Sequence, residues 1–210
     1  MNPSLSAPGP GRPKDPAKRE AILAAAQVLF LGNGYEGSSM DAIAAEAGVS
    51  KLTLYSHFGD KEALFCAAVK ATCETRLPRR LFQLDDEASI EQVLLDITRA
   101  FHALVNSPES IGLHRVMVTM ATQNRALVRS FFDAGPQQLL LDLQQLFGQA
   151  SARGLLRIPE PLRAAEHFCS LIKGVQHFRL LIGYSDAPDE SAAEAHVQDV
   201  VALFMRAYRR

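Results

Sequence analysis

The 210-residue chain has no tryptophan, only three cysteines and no excess of charge of either sign, with 22 lysines and arginines against 23 aspartates and glutamates. Each shortage excludes something. Cys66, Cys73 and Cys169 lie at unrelated spacings with no CxxC pair, which argues against a disulfide framework or a zinc knuckle. Such cysteines usually act as small buried hydrophobes. A near-neutral chain is not globally polybasic, so any nucleic-acid contact must come from local arrangement. No apolar run approaches the ~20 residues that cross a bilayer. The opening MNPSLSAPGPGRPKDPAKRE lacks the apolar stretch of a secretory signal. The expected location is therefore the cytoplasm, with no membrane partner. No GxGxxG, P-loop, HExxH or DxDxDG calcium loop occurs, so the common nucleotide- and metal-dependent enzyme classes leave no mark. Strand-like alternation and internal repeats are also missing.

What is present is helical. Hydrophobic residues make up 48% of the chain, enough for a real core, and the prevalence of Ala and Leu suits an all-α fold. Residues 1–16 hold the basic, proline-rich stretch expected to be a disordered arm: over residues 1–19, Arg12, Lys14, Lys18 and Arg19 oppose only Asp15. Ile22, Ala26, Leu29 and Phe30 then form the stripe of an amphipathic helix, which Gly32 and Gly34 are expected to stop. SSMD at 38–41 opens a short second helix that Gly48 ends. Ser50 caps a third running to Phe58, and GDKE at 59–62 opens a fourth, broken before Pro78.

Three helices joined by tight glycine-containing turns are the package of a helix-turn-helix, here over roughly residues 39–58. Ala44 and Ala47 are small where helices must cross, while Ile43, Val49, Leu54 and Phe58 can fill the small core between them. That leaves Lys51, Leu52, Thr53, Tyr55 and His57 for solvent or a ligand. An exposed Leu52 suits a thymine methyl in the major groove. Residues 1–70 carry seven basic and seven acidic side chains, so Glu36 and Glu46 must point away from any phosphates. Binding without sequence preference should then be weak.

Residues 17–70 resemble the DNA-binding domain of the tetracycline-repressor (TetR) family. The resemblance rests on five elements in order: KRExILxAA, GYxGSSM, IAxxAGVS, LYxHF and GDKEAL. More loosely, AGPQQLLLDL, ARGLLRIPEPLRAAEHFCSLIKG and VALFMRAYR are similar to the effector domain of the AefR-like branch. The resemblance implies a helix-turn-helix domain over 17–62, then a helical effector-binding and dimerisation bundle over 63–210. It implies a ligand-responsive repressor, not an enzyme, acting as a homodimer on a palindromic double-stranded DNA operator and using no cofactor. Lys51 and Thr53 would face the major groove, with Leu52 near base edges. Tyr55, His57, Lys61 and Ser39 would meet phosphates, beside the Ser50 cap.

Further helices are expected through Ile90–Leu104, Ile111–Met120, Leu127–Phe132 and Leu139–Phe147, and over 161–182 and 190–208. The helix over 161–182 has two apolar stripes. One holds Leu162, Ala165, Phe168, Cys169 and Ile172; the other holds Leu171, Gly174, Phe178 and Leu181. Two stripes call for two partners, its own core and a second subunit. The last helix offers Ala193, Val197, Val200, Phe204 and Tyr208 to the same four-helix interface. Phe101, Met117, Met120, Phe131 and Phe178 are candidates to line a mostly apolar effector pocket inside the second domain. His102, His114, Gln123 and His177 lie near them in sequence to orient a polar end. His167, Cys169 and His177 could in principle hold a metal, but such spacing arises readily by chance, and no metal site is expected.

Overall fold

The computed structural model describes residues 15–85 and 89–209, and nearly all of the expected basic arm lies outside them. Ten α-helices and one 3-10 turn make up the described chain, with no strand among the described residues. They are α1 (Pro16–Gly37), α2 (Met40–Glu46), α3 (Lys51–Phe58), α4 (Lys61–Arg76), the 3-10 turn Arg79–Phe82, α5 (Ile90–Val105), α6 (Pro108–Met120), α7 (Arg125–Ala134), α8 (Pro136–Ala152), α9 (Pro161–Leu181) and α10 (Glu190–Tyr208).

Most starts follow from local chemistry. Asp15, Ser39, Ser50, Asp60, Ser89, Ser107, Asn124 and Asp189 each accept a hydrogen bond from a backbone amide of the first turn they precede. Gly48, at φ 64°, turns the chain after α2 while the Val49 amide donates to Ala44 O at 3.0 Å. The stop expected at Gly32 and Gly34 falls on Gly34 alone. Gly34 takes φ 72° and ψ 176° and kinks α1, whereas Gly32 stays helical.

Two cores result, and they do not divide in chain order. The first joins α1, α2, α3 and α4 through Ile22, Phe30, Ile43, Leu54 and Phe65, and it also takes Met117 and Met120 from α6 with Leu127 and Phe131 from α7. The second is built on α5, α8, α9 and α10 around Phe147, Phe168 and Phe204, whose ring centroids lie 4.7–5.8 Å apart. Arg115 of α6 donates from Nε to Leu181 O at 2.8 Å and from Nη2 to Leu180 O at 2.7 Å. It thereby caps the carbonyl end of α9, where Leu180 O also accepts from the Gly183 amide at 3.1 Å.

The helix expected over 161–182 is broken within. Gly174 has φ 56° and ψ −170°, and the kink is supported from α10, where His196 Nε2 lies 2.9 Å from Ile172 O. Ala165, Phe168 and Ile172 of its first stripe are buried in the second core, as are Val200 and Phe204 of α10, and Val197 of α10 is buried as well. Outward on and after α9 lie Val175, Phe178, Ile182 and Tyr184, all more than half exposed.

The glycine geometry gives a paired test. Gly174→Ala places a Cβ 3.2 Å from His196 Cε1 at a backbone angle that L-residues rarely adopt. It should lower unfolding free energy by about 2 kcal/mol. Gly32→Ala meets nothing within 4 Å in a helical backbone, and should raise it by about 0.5–1 kcal/mol. Urea denaturation of both variants reads the opposite signs.

Candidate DNA interface and effector cavity

The recognition helix α3 is held from behind by Leu54 and Phe58, both buried, and its other face is open. Leu52 is 81% exposed and Tyr55 39% exposed, while Thr53 and His57 are half-buried. Lys51 is exposed but not free. Its Nζ pairs with Asp41 Oδ1 of α2 at 2.7 Å, which pushes the Lys51 pKa up through that hydrogen bond. Ser50 Oγ accepts from the Thr53 amide at 3.1 Å and lies 2.8 Å from Thr53 Oγ1, so the cap and the Thr53 hydroxyl form one unit. Ser39 Oγ accepts from the Ala42 amide at 3.1 Å at the start of α2. Lys61, the first residue of α4, sits with Nζ 4.3 Å above the Tyr35 ring, a cation–π contact that steadies the ammonium group. Ser39, Ser50, Lys51, Leu52, Thr53 and Tyr55 are exposed or half-buried within one helix-turn-helix, with His57 and Lys61 at its border with α4. Glu36 and Glu46 are exposed.

Sequence reasoning read Asp41 as a helix-start acid and Arg19 as part of the basic arm, and did not foresee Asp41 and Tyr35 as the partners of Lys51 and Lys61 or Arg19 as a brace for α3. The Arg19 guanidinium carbon lies 5.2 Å from the Phe58 ring centroid, bracing α3 from α1. Such partners are set by tertiary approach, and no spacing in the sequence displays them.

A cavity of about 320 Å³ opens between α1, α4, α5, α6, α7, α8 and α9. It lies at the junction of the two cores and not wholly within the second half of the chain. Phe101 and Phe131 line it as expected residues. Met117 and Met120 are buried in the first core, away from the lining, because their face of α6 packs onto α1. Phe178 is 59% exposed beyond the α9 kink. The walls not foreseen come from α1 and α4: Gln27, Phe30, Leu31, Phe65, Val69 and Cys73. Phe30 and Val69 read as ordinary core positions in the sequence, and they are core positions on their other side.

Of the polar candidates, His114 alone lines the cavity. Its ring stands edge-on to Phe131 at 6.0 Å and to His177 at 5.4 Å, and its Nδ1 is buried without a hydrogen-bond partner. Burial, with the neighbouring His177 and Lys173, pulls its pKa down to about 4. His177 Nδ1 lies 3.0 Å from Asn106 Oδ1, and His102 is buried beside His196. Cys169 lines the cavity, with its thiol pushed up to about 11 by burial, while His167 is exposed on the outside of α9. His167, Cys169 and His177 are thus not brought together around one point.

A capped, outward-facing recognition helix packed on α1 and α4 defines a helix-turn-helix transcription regulator. Comparison with known proteins narrows this further. The profile of bacterial regulatory proteins of the tetR family matches residues 22–68, and that of the C-terminal domain of AefR-like transcriptional repressors matches residues 92–210. The chain belongs to the TetR family. It is 28% identical over 196 residues to the HTH-type regulator YdeS of Bacillus subtilis, covering 91% of this chain and 89% of that one. A TetR-family regulator from Mesorhizobium loti superposes with a TM-score of 0.79 at 28% identity, over 92% of this chain and 98% of that one. The flavonoid-responsive regulator FrrA superposes with a TM-score of 0.69 at 32% identity, over 91% and 96%. Members of the family bind operator DNA and small-molecule effectors, usually as dimers. Among the described residues no helix is long and apolar enough to cross a membrane.

His114 gives a pH test with a definite sign. Folding holds its imidazole neutral down to about 4, against an ordinary value of 6.5. The unfolded chain therefore binds a proton that the folded chain refuses, and stability falls as pH drops from about 6.5 toward 4. The loss from this group is at most about 3 kcal/mol. Thermal melting across that window should show the decline, and His114→Phe should flatten it.

Proposed function

We propose that the protein is a homodimeric, cytoplasmic repressor that leaves a palindromic operator when a small, mostly apolar molecule fills the cavity. Residues 17–62 are the DNA-binding unit in this reading, and 63–210 the effector and dimerisation unit. Lys51 and Thr53 face the major groove with Leu52 against base edges, while Ser39, Tyr55, His57 and Lys61 meet phosphates beside the Ser50 cap. The AefR-like repressor profile supports the sign of regulation, and the flavonoid-responsive relative supports an apolar effector.

One observation carries the mechanism: Phe30 and Phe65 line the cavity and are also core residues of the DNA-reading helices. A molecule pressed against them acts on α1 and α4 directly. Phe65 Cβ and the start of α4 belong to one rigid helix, so a shift of that wall moves Lys61 and the helix that braces α3. In a dimer, such a shift changes the spacing of two recognition helices that must sit about one DNA turn apart. Support for the dimer comes from the apolar face of Val175, Phe178, Ile182 and Tyr184, which this subunit leaves uncovered.

Three measurements test this reading. In gel-shift titrations on a selected operator, Tyr55→Ala and Lys61→Ala should each weaken binding roughly tenfold on every sequence, as phosphate contacts do. Thr53→Ala should instead change which bases are preferred. Unchanged affinity in the first two variants would remove the phosphate assignment. Sedimentation at micromolar concentration should give a dimer, and Phe178→Asp should shift it toward monomer; a monomeric wild type refutes the interface. Finally, any molecule that binds in the cavity must weaken operator affinity by the same factor by which the operator weakens its own binding. A tight cavity ligand that leaves operator affinity unchanged sinks the repressor mechanism.

A further inference from the structure

We infer that the effector is an uncharged aromatic molecule carrying a hydroxyl group, and that this hydroxyl hydrogen-bonds the imidazole of His114. The inference rests on the cavity being the effector site. Buried polar atoms in folded proteins nearly always have a partner. Here the His114 ring lines the cavity and neither of its nitrogens has a hydrogen-bond partner among the described residues; Nδ1 is closed off by its neighbours, which leaves Nε2 as the nitrogen open to a ligand. The neighbours that hold the ring are themselves rings, Phe131 and His177, set at 79° and 81° to it. They fix the orientation of the imidazole, and neither makes a hydrogen bond to it. His177 does not fill the gap, because its Nδ1 is 3.0 Å from Asn106 Oδ1.

The chemistry of the partner follows from the state of the ring and of the walls. Burial keeps the imidazole neutral, with one nitrogen donating and one accepting. A hydroxyl both donates and accepts, so it can pair with Nε2 in either tautomer, whereas a carboxylate can meet only the N–H. Charge on the lining balances. Lys70, Arg79 and Lys173 stand against Glu74, Asp142 and Glu166, with only Asp142 less than exposed. The lining thus has no net charge, although Lys173 lies close enough to His114 to help lower its pKa, and inside the cavity an anion meets apolar rings that disfavour an unpaired charge. The inner surface is aromatic: Phe30, Phe65, Phe101 and Phe131. Faces and edges of these rings suit a planar aromatic body.

The test uses three probes with one two-ring body: biphenyl, 4-phenylphenol and biphenyl-4-carboxylate, titrated into the full-length protein by calorimetry. Wild type should bind 4-phenylphenol about tenfold more tightly than biphenyl, and the carboxylate most weakly. His114→Phe keeps an aromatic ring against Phe131 but removes both nitrogens, and should bring 4-phenylphenol and biphenyl to equal affinity. His114→Gln, which can still donate and accept, should restore part of the preference and guards against a folding artefact in the first variant. Equal affinities in wild type, a hydroxyl preference that survives His114→Phe, or tightest binding by the carboxylate each overturn the inference while leaving the cavity as an effector site. Ser110→Trp, which fills the cavity from α6, separates the two levels. If none of the probes binds, the inference about the effector's chemistry fails while the cavity reading stands; if binding persists in Ser110→Trp, the probes sit elsewhere and the effector-site reading fails with it.

Discussion

Phe65 of α4 is gripped from several directions at once. Its ring stacks edge-on against Phe30 at 5.2 Å and Tyr35 at 5.1 Å, meets Phe131 of α7 at 6.4 Å, and turns its remaining surface to the cavity. α1, α4 and α7 are therefore registered against one side chain that is 1% exposed. Tyr35 in turn carries Lys61 on its ring. Close-packed interiors shift between discrete arrangements more readily than they deform by degrees. A ring shared between a cavity wall and the DNA-reading core is thus a physical means of linking the two, without a long chain of intermediates.

Polar contacts reinforce the same joint. Ser130 of α7 donates to Glu62 Oε1 of α4 at 2.7 Å, and Gln27 Nε2 of α1 donates to Thr72 Oγ1 of α4 at 3.0 Å. α6 touches α1, α7 and α9, and Arg115 fastens it to the carbonyl end of α9, close to the uncovered apolar face. Gly135, between α7 and α8, lets the chain pass close to α4: a Cβ there would meet Cys73 Sγ at 3.1 Å and Val69 Cγ1 at 3.2 Å. The helices that follow α4 in sequence are thus split between the two cores. α6 and α7 go with the DNA-reading helices, while α5, α8, α9 and α10 form their own.

How much of this the sequence displays depends on how local each cause is. The all-α fold, the order of the helices and most of their starts were legible, because stripes such as Ile22, Ala26 and Phe30 and caps such as Ser39 and Asp60 act within one or two turns. The helix-turn-helix was legible for the same reason, with Leu54 and Phe58 inward and Leu52 outward. The kink at Gly174 was not. The periodicity of Phe168, Ile172 and Leu180 runs on through it, and the group facing the loosened carbonyl, His196, comes from another helix. The cavity was legible only in part. Phe101 and Phe131 lie where aromatic choice suggested, but Phe30 and Phe65 serve two environments, and a stripe records only that a residue is buried. Met117 and Met120 show the converse. Their adaptable side chains fit a ligand wall equally well, and only the packing of α6 onto α1 places them in the core.

Charge completes the argument about specificity. The first 70 residues balance seven positive against seven negative side chains, so no broad positive field draws this face to DNA. The cations in place are instead oriented one by one. Asp41 holds Lys51, the Tyr35 ring holds Lys61, and Phe58 lies under Arg19. Each arrangement restricts a flexible side chain before DNA arrives, which lessens the ordering that binding would otherwise demand. At Lys51 the ammonium group is already paired with a carboxylate at 2.7 Å, which any anion would have to displace. Among the described residues Lys61 has no ion-pair partner, and it stands at the start of α4, the helix whose Phe65 lines the cavity. Lys61, the cation proposed to meet a phosphate, therefore stands on the same helix as a wall of the cavity.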